Sequence, residues 1–202
     1  MKSLSTKSRY HHGNLRETLV QQATDMVNDV GIEGLSLRKL ADAVGVSRTA
    51  LYHHFADKNA LLCAIAEQGF SRWRSEAEKI FVQTGLSPQE KVTRFVRDYI
   101  YYAADNPQLY ELMFGRTIWK NASPTETLKS IAYPCFQQQV EMTRQWQAQG
   151  IMPQQEDTLR LAQVTWGTMH GIARLLIDGI YADRSHIDEM CQCAMHLFTT
   201  HH

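Results

Sequence analysis

The chain has 202 residues, 44% of them hydrophobic, and carries 21 Lys and Arg against 21 Asp and Glu. That length and apolar content suit a folded core and exclude a disordered chain, while the zero net charge excludes a wholesale polyanion binder. The longest unbroken apolar run, LLCAIA from Leu61, is too short to span a membrane.

Charge is distributed unevenly. Residues 1–16 hold Lys2, Lys7, Arg9 and Arg16 and no acid. Residues 1–60 hold eight basic and six acidic side chains, and the remaining 142 hold thirteen and fifteen. The asymmetry is mild and fits a small basic end on a neutral body. In residues 1–14 the sizeable apolar side chains are Met1, Leu4 and Tyr10, so no secretory core is present and the expected location is the cytoplasm. The cysteines Cys63, Cys135, Cys191 and Cys193 form no CxxC pair, and buried free thiols are expected.

In chain order, residues 1–10 read as a flexible basic arm. A first helix is predicted from an Asn14 cap to about Val30, with Leu15, Leu19, Ala23, Met26, Val27 and Val30 as its apolar stripe and Gly31 as its end. Two short helices follow, about Leu37–Val44 and Arg48–His54. Gly45 reverses the chain between them, Val46 plugs the corner and Ser47 caps the second helix. Leu51 and Phe55 turn inward, leaving Arg48, Thr49, Tyr52 and His53 outward. Two readings are open: an ordinary helical corner, or a helix-turn-helix whose second helix enters the DNA major groove. The stretch from Gly45 to Ala56 lacks any acid and holds Arg48 and two histidines, as a phosphate-facing surface requires.

Asp57 caps a fourth helix, to about Val82, that buries Leu61, Leu62, Ile65, Ala66 and Phe70. Prolines then mark helix starts. Ser87-Pro88-Gln89-Glu90 and Ser123-Pro124-Thr125-Glu126 both read as cap, N1 proline and capping-box glutamate; Asn106-Pro107 and Pro153 are taken as two further starts. Pro134 falls inside a helical stretch and is expected to kink or end it. From Gln155 to Ile180 the chain is apolar nearly all round and is expected to be buried nearly all round. A last helix, about Ser185–Thr200, carries Ile187, Met190, Cys191, Ala194, Leu197 and Phe198. These two helices predict two-fold pairing into a four-helix bundle through residues 155–200; the alternative is a monomer whose last helix covers the one before it. No period-two alternation occurs, so the expected fold class is all-α with about nine helices.

The stretch from Tyr10 to Leu62, YHHGNLRETL followed by GLSLRKLADAVGVSRTALYHHFADKNALL, resembles the tetracycline-repressor (TetR) family of bacterial transcription regulators. Further along, Trp166 with His170-Gly171 resembles a subgroup with a Trp-His-Gly signature. The resemblance implies a helix-turn-helix DNA-binding domain over 1–57 and a ligand-binding and dimerisation domain over 58–202. It places Arg48 and Thr49 at base edges, and Tyr52, His53 and Lys58 at phosphates. Ser36 and Arg38 open the helix that crosses the backbone, and Ser47 joins the DNA-binding set. Arg9 and His11-His12-Gly13 would reach neighbouring phosphates or a minor groove. The implied partners are a pseudo-palindromic double-stranded operator, a second copy of the chain and an unidentified small effector, with no membrane role and no cofactor.

Candidate residues for an effector pocket are Tyr99, Tyr102, Tyr110, Met113 and Phe114, then Phe136, Trp146, Trp166 and His170. Any of them can instead be plain core. Aromatics with methionine suit an apolar or planar ligand. The contrasting class is a small-molecule-binding helical protein or an enzyme without a DNA role. No phosphate loop, metal-spaced pair or nucleophile elbow supports an enzyme. Cys191 and Cys193, two apart on a helix, converge poorly on a metal, even with His196 nearby. The expectation is therefore no catalytic and no metal site.

Overall fold

The computed structural model describes residues 15–181 and 184–199. The basic arm, Arg9, His11-His12-Gly13 and the Asn14 cap lie outside the described residues. Within them the fold is all-α: α1 Leu15–Gly34, α2 Leu37–Val44, α3 Arg48–His54, α4 Lys58–Val82, α5 Pro88–Asp105, α6 Pro107–Phe114, α7 Arg116–Trp119, α8 Glu126–Ala148, α9 Thr158–Ile177 and α10 Ile187–Phe198. Nine of these have seven residues or more, and α7 is a single four-residue turn.

The α2–α3 corner follows from its caps. The Ser36 hydroxyl accepts the Lys39 N–H and the Ser47 hydroxyl accepts the Ala50 N–H, so each helix starts on a satisfied donor. Gly45 adopts φ 76°, and its N–H closes on the carbonyls of Ala41 and Asp42, a left-handed stop that a side chain would disfavour. Leu40, Ala41 and Val44 of α2, which packs on α1, are buried in one core with Leu51, Phe55 and the α1 residues Leu19, Val20, Ala23 and Val27. The N-terminal three-helix unit is thus a packed head, and α1 also packs against α4 and α6.

Helix α4 is the shared pillar. Leu61 to Glu67 are all buried, because α1, α6 and α8 surround that half of the helix. At Gly69 the α4 backbone runs close to α6: a Cβ there would lie 2.7 Å from Met113 Sδ and 2.9 Å from Leu109 Cδ1. Helices α5, α9 and α10 pack together on the far side, and α8 joins α4 to α9.

Several expectations need correction. Val30 is 58% exposed, because a kink at Gly31 (φ 74°, ψ 168°) turns the chain and Ile32 takes the buried position instead. Ser87 makes the expected capping box with Glu90, but α8 is capped by Thr125, whose hydroxyl accepts the Leu128 N–H; Ser123 instead offers its carbonyl to Asn59. Asn106 makes no side-chain cap, since its amide turns back to the Tyr102 carbonyl. Pro153 precedes α9 by several residues, and Asp157 caps that helix. Pro134 neither ends nor splits α8, which runs continuously from Glu126 to Ala148. Cys63 and Cys191 are buried, Cys135 is partly so and Cys193 is exposed.

The largest departure concerns α9. In the single chain only Ala162, Thr165, Met169 and Ala173 are buried, while Leu159 is 41%, Val164 63% and Ile180 68% exposed. Leu197 of α10 is 74% exposed. The apolar surface is present, but one face of it meets no other part of the described chain.

Candidate nucleic-acid interface and C-terminal pocket

Helix α3 is held by Leu51 and Phe55, 1% and 2% exposed, so the opposite face is fixed outward. That face presents Arg48, Thr49, Tyr52 and His53, with His54 beside them. No carboxylate stands on this helix. Arg38 is exposed at the start of α2. Ser36 and Ser47 spend their lone pairs as caps, which leaves each O–H proton able to donate to an anion. Lys58 opens α4, and its Nζ donates to the Glu33 carbonyl at 3.4 Å, which holds the ammonium on the head side of the helix start. The helix terminus and the ammonium together favour an anion there.

The expected pocket residues divide into two groups. Met113, Phe114, Phe136 and Trp166 line a cavity of about 570 Å³. Its other walls are Phe70 of α4, Trp119 of α7, and Ala132, Tyr133 and Gln137 of α8. His170 lines an adjoining crevice of about 380 Å³ with Gln163 and Gly167, sharing Phe114 and Trp166 with the cavity. Tyr99 reaches only a small recess of about 40 Å³ beneath them. Tyr102, Tyr110 and Trp146 line none of these. Tyr102 donates to the Gly69 carbonyl at 3.0 Å, and burial pushes its phenol up to about 12. Trp146 packs its ring on Phe95. Phe70 reads from the sequence as core of α4, but periodicity does not say which core residues border a void, and Trp119 lies on a four-residue turn too short to show a periodicity.

Behind the cavity runs a hydrogen-bonded chain. Trp166 Nε1 donates to the Tyr99 hydroxyl at 2.8 Å, the Tyr99 and Tyr110 hydroxyls are 2.7 Å apart, and the Tyr110 hydroxyl lies 2.6 Å from His170 Nδ1. The indole can only donate. Tyr99 accepts from Trp166, and the Tyr110 oxygen is the one acceptor within reach of its buried hydroxyl proton; the arrangement that gives every proton an acceptor therefore runs Tyr99 to Tyr110 to Nδ1. Burial, and then the nearby Arg174 guanidinium, hold the His170 imidazole below its ordinary value, in keeping with a neutral, accepting ring. Burial likewise pushes both phenols far above their ordinary range, so they remain neutral donors.

One ion pair ties the head to this half, and α4 is in turn tied to the start of α8. The Glu67 carboxylate, on buried α4, accepts from Arg16 of α1 on one oxygen and from the Thr125 hydroxyl at the start of α8 on the other, both at 3.3 Å. Arg16 also lies over the Phe55 ring, 5.4 Å from its centroid, at the end of α3. Asn59 of α4 donates to the Ser123 carbonyl at 2.8 Å. Among the described residues no cluster of three or more potential metal ligands occurs, and no helix is long and apolar enough to cross a membrane.

Known proteins resemble this arrangement. A family profile described as bacterial regulatory proteins, tetR family, matches residues 19–65, and one described as tetracyclin repressor-like, C-terminal domain, matches residues 92–198. Over 52 residues the chain is 52% identical to the tetracycline repressor protein class C of Escherichia coli, a match covering 26% of this chain and 24% of that protein. The similarity thus spans about a quarter of that relative's length. A solved structure of a protein with unknown function from Rhodococcus sp. RHA1 is 30% identical with a TM-score of 0.82, covering 95% of this chain and 97% of that one. The TetR family transcriptional regulator PfmR from Thermus thermophilus shares the fold at a TM-score of 0.65 and 23% identity, covering 89% and 95%. With the C-terminal profile spanning more than half of the sequence and the N-terminal one spanning the corner, the chain belongs to the TetR family of DNA-binding transcriptional regulators.

Proposed function

We propose that this regulator is a ligand-responsive repressor that acts as a homodimer on a pseudo-palindromic operator. The observation that carries the reading is the outward face of α3, where Arg48, Thr49, Tyr52 and His53 stand clear of a buried Leu51–Phe55 seam. Arg48 suits guanine O6 and N7, and the Thr49 methyl suits thymine. Tyr52, His53, Lys58, Arg38 and the hydroxyls of Ser36 and Ser47 serve phosphates. We divide the chain into a head over 1–57 and a ligand-binding and dimerisation domain over 58–202. Trp166 with His170-Gly171 supports the Trp-His-Gly subgroup. The reading assigns no catalysis, and it expects action in the cytoplasm.

The open faces of α9 and α10, with Leu159, Val164 and Leu197 exposed, support pairing with a second copy. Pairing sets the two α3 helices at the spacing of successive major grooves, about 34–36 Å. The effector enters the cavity between α4, α6, α7, α8 and α9. Met113 and Phe114 lie on α6, which packs on α1 of the head, and α8 is tied to α4 through Thr125 and Glu67. A ligand that displaces α6 or α8 therefore changes the head's position, and the DNA-incompetent state binds it better. Operator and effector weaken each other by the same factor.

Retardation of the chain's own promoter fragment tests the reading. Affinity falls steeply as salt rises, and binding indifferent to salt would count against phosphate contacts. Light scattering gives about twice the 23.2 kDa of the chain, and Val164→Glu lowers it toward one copy. A monomer in the parent protein at micromolar concentration would remove the bundle.

A further inference from the structure

We infer that His170 is the hydrogen-bond donor that selects the effector, and that the ligand is an uncharged, flat, largely apolar molecule carrying an acceptor oxygen such as a ketone or ester carbonyl. The inference rests on the effector reading of the C-terminal cavity and adds the ligand's chemistry.

The first observation is the polarity of the chain behind the cavity. The indole of Trp166 can only give a proton, and Tyr110 is the only acceptor in reach of the buried Tyr99 proton, so one direction alone leaves no proton without an acceptor. Each hydroxyl then accepts from the group before it and donates to the group after it, ending on His170 Nδ1. A neutral imidazole that accepts at Nδ1 carries its proton on Nε2. The tautomer is thus fixed by packing remote from any ligand, which is how a pre-organised donor is built.

The second observation is where that donor stands. Among the described residues Nε2 has no protein partner, and no fully buried side-chain nitrogen or oxygen is left unpaired, so Nε2 is not completely enclosed. His170 lines the crevice that meets the larger cavity across Phe114 and Trp166. A ligand body lying in the cavity can place an oxygen at Nε2 by passing this pair.

The third observation is the character of the walls. No Lys, Arg, Asp or Glu is among the described residues lining the cavity or the crevice. Their side-chain amides, Gln137 and Gln163, are neutral. An ionised carboxylate or sulfonate would lose its water without gaining a counter-charge. Trp119, Phe136 and Trp166 instead offer broad ring faces to a flat apolar body. A cavity of about 570 Å³ is within the size range of small-molecule sites.

The test uses three naphthalene probes of similar size on the full-length protein. Prodan is a neutral naphthyl ketone whose emission moves to the red when its carbonyl accepts a hydrogen bond. N-phenylnaphthylamine is neutral and has no carbonyl, and anilinonaphthalene sulfonate is its anionic relative. The variant is His170→Asn, whose amide oxygen can still accept from Tyr110 while its shorter side chain brings no donor to the Nε2 position; unchanged circular dichroism confirms its fold. The inference expects both neutral probes to bind at least about tenfold tighter than the sulfonate. It also expects His170→Asn to weaken prodan about five- to tenfold and move its emission to the blue, with N-phenylnaphthylamine unaffected. Prodan binding equally to parent and variant at the same emission maximum overturns the inference. So does a sulfonate that binds as tightly as the neutral amine, or failure of both neutral probes to bind. Prodan that binds with the His170-dependent shift but leaves operator affinity unchanged supports this site and counts against the effector reading instead.

Discussion

Arg16 of the DNA-binding head places Nη2 3.3 Å from a carboxylate oxygen of Glu67, whose side chain is only 10% exposed while that of Arg16 is 51% exposed. The pair therefore joins a buried charge to a cation half in solvent. The two partners should respond differently to removal. Arg16→Ala leaves a buried carboxylate with Thr125 as its remaining partner and also removes the cation over Phe55. The expected loss is about 1–2 kcal/mol, below the cost of breaking a fully buried pair because solvent already screens Arg16. Glu67→Gln removes the charge and keeps an acceptor, so its loss should be smaller, under about 1 kcal/mol. Urea midpoints of the two variants check the order, and a larger loss in Glu67→Gln would reverse the assignment of cost.

Acid should weaken the fold through His170. Its folded-state value lies below its ordinary 6.5, so the neutral ring is favoured by folding. That stability is fully present above the ordinary value and is lost as pH falls from there through the lowered value. Protonation would also turn Nδ1 into a donor and reverse the chain. Tyr99 would then accept from both Trp166 and Tyr110, with no acceptor for its own proton. Thermal unfolding followed from about pH 7.5 to about 5.5 should fall more steeply in the parent than in His170→Asn, which cannot titrate. Parallel curves would mean that His170 does not sense pH.

A bulkier residue at Gly69 should loosen the α4–α6 seam. A Cβ there already meets Met113 and Leu109 inside 3.0 Å, and Val adds two methyl groups. Gly69→Val is expected to destabilise by about 1–3 kcal/mol through overpacking. It should also alter probe binding, since Met113 is displaced into the cavity wall. Denaturant titration gives the first number, and a gain in stability would show that α6 yields without strain.

How far the sequence was legible depends on whether a feature was local. Gly45, Ser47 and Asp57 act within a turn of themselves, and the corner they punctuate has the expected bounds Leu37–Val44 and Arg48–His54; the Ser36 cap is seen only in the structure. Ser87-Pro88 was legible for the same reason. Ser123-Pro124 misled because Thr125 offers an equally good hydroxyl two residues later, adjacent to Glu67 of another helix. The apolar circumference of α9 was readable, but its distribution was not: composition cannot separate a face covered by the same chain from one left open, as Val164 is. The cavity was half legible. Met113, Phe114, Phe136 and Trp166 border it, while Tyr110 is sealed behind them by its hydroxyl partners and Phe70 and Trp119 arrive from α4 and α7. A void is a property of the packing of five helices, and no single periodicity records it.

The central claim is that α3 reads DNA with separable base and phosphate contacts. Its most direct test is fluorescence anisotropy of operator binding for the parent, Arg48→Ala and Lys58→Ala, each against the operator and its single-base-pair variants. Arg48→Ala should lose about 1–3 kcal/mol on the operator and become indifferent to one base pair. Lys58→Ala should weaken every sequence alike and lower the salt slope by about one. If both variants bind every probe as tightly as the parent and with the same salt slope, the account of α3 and the α4 start as the DNA-reading surface is wrong.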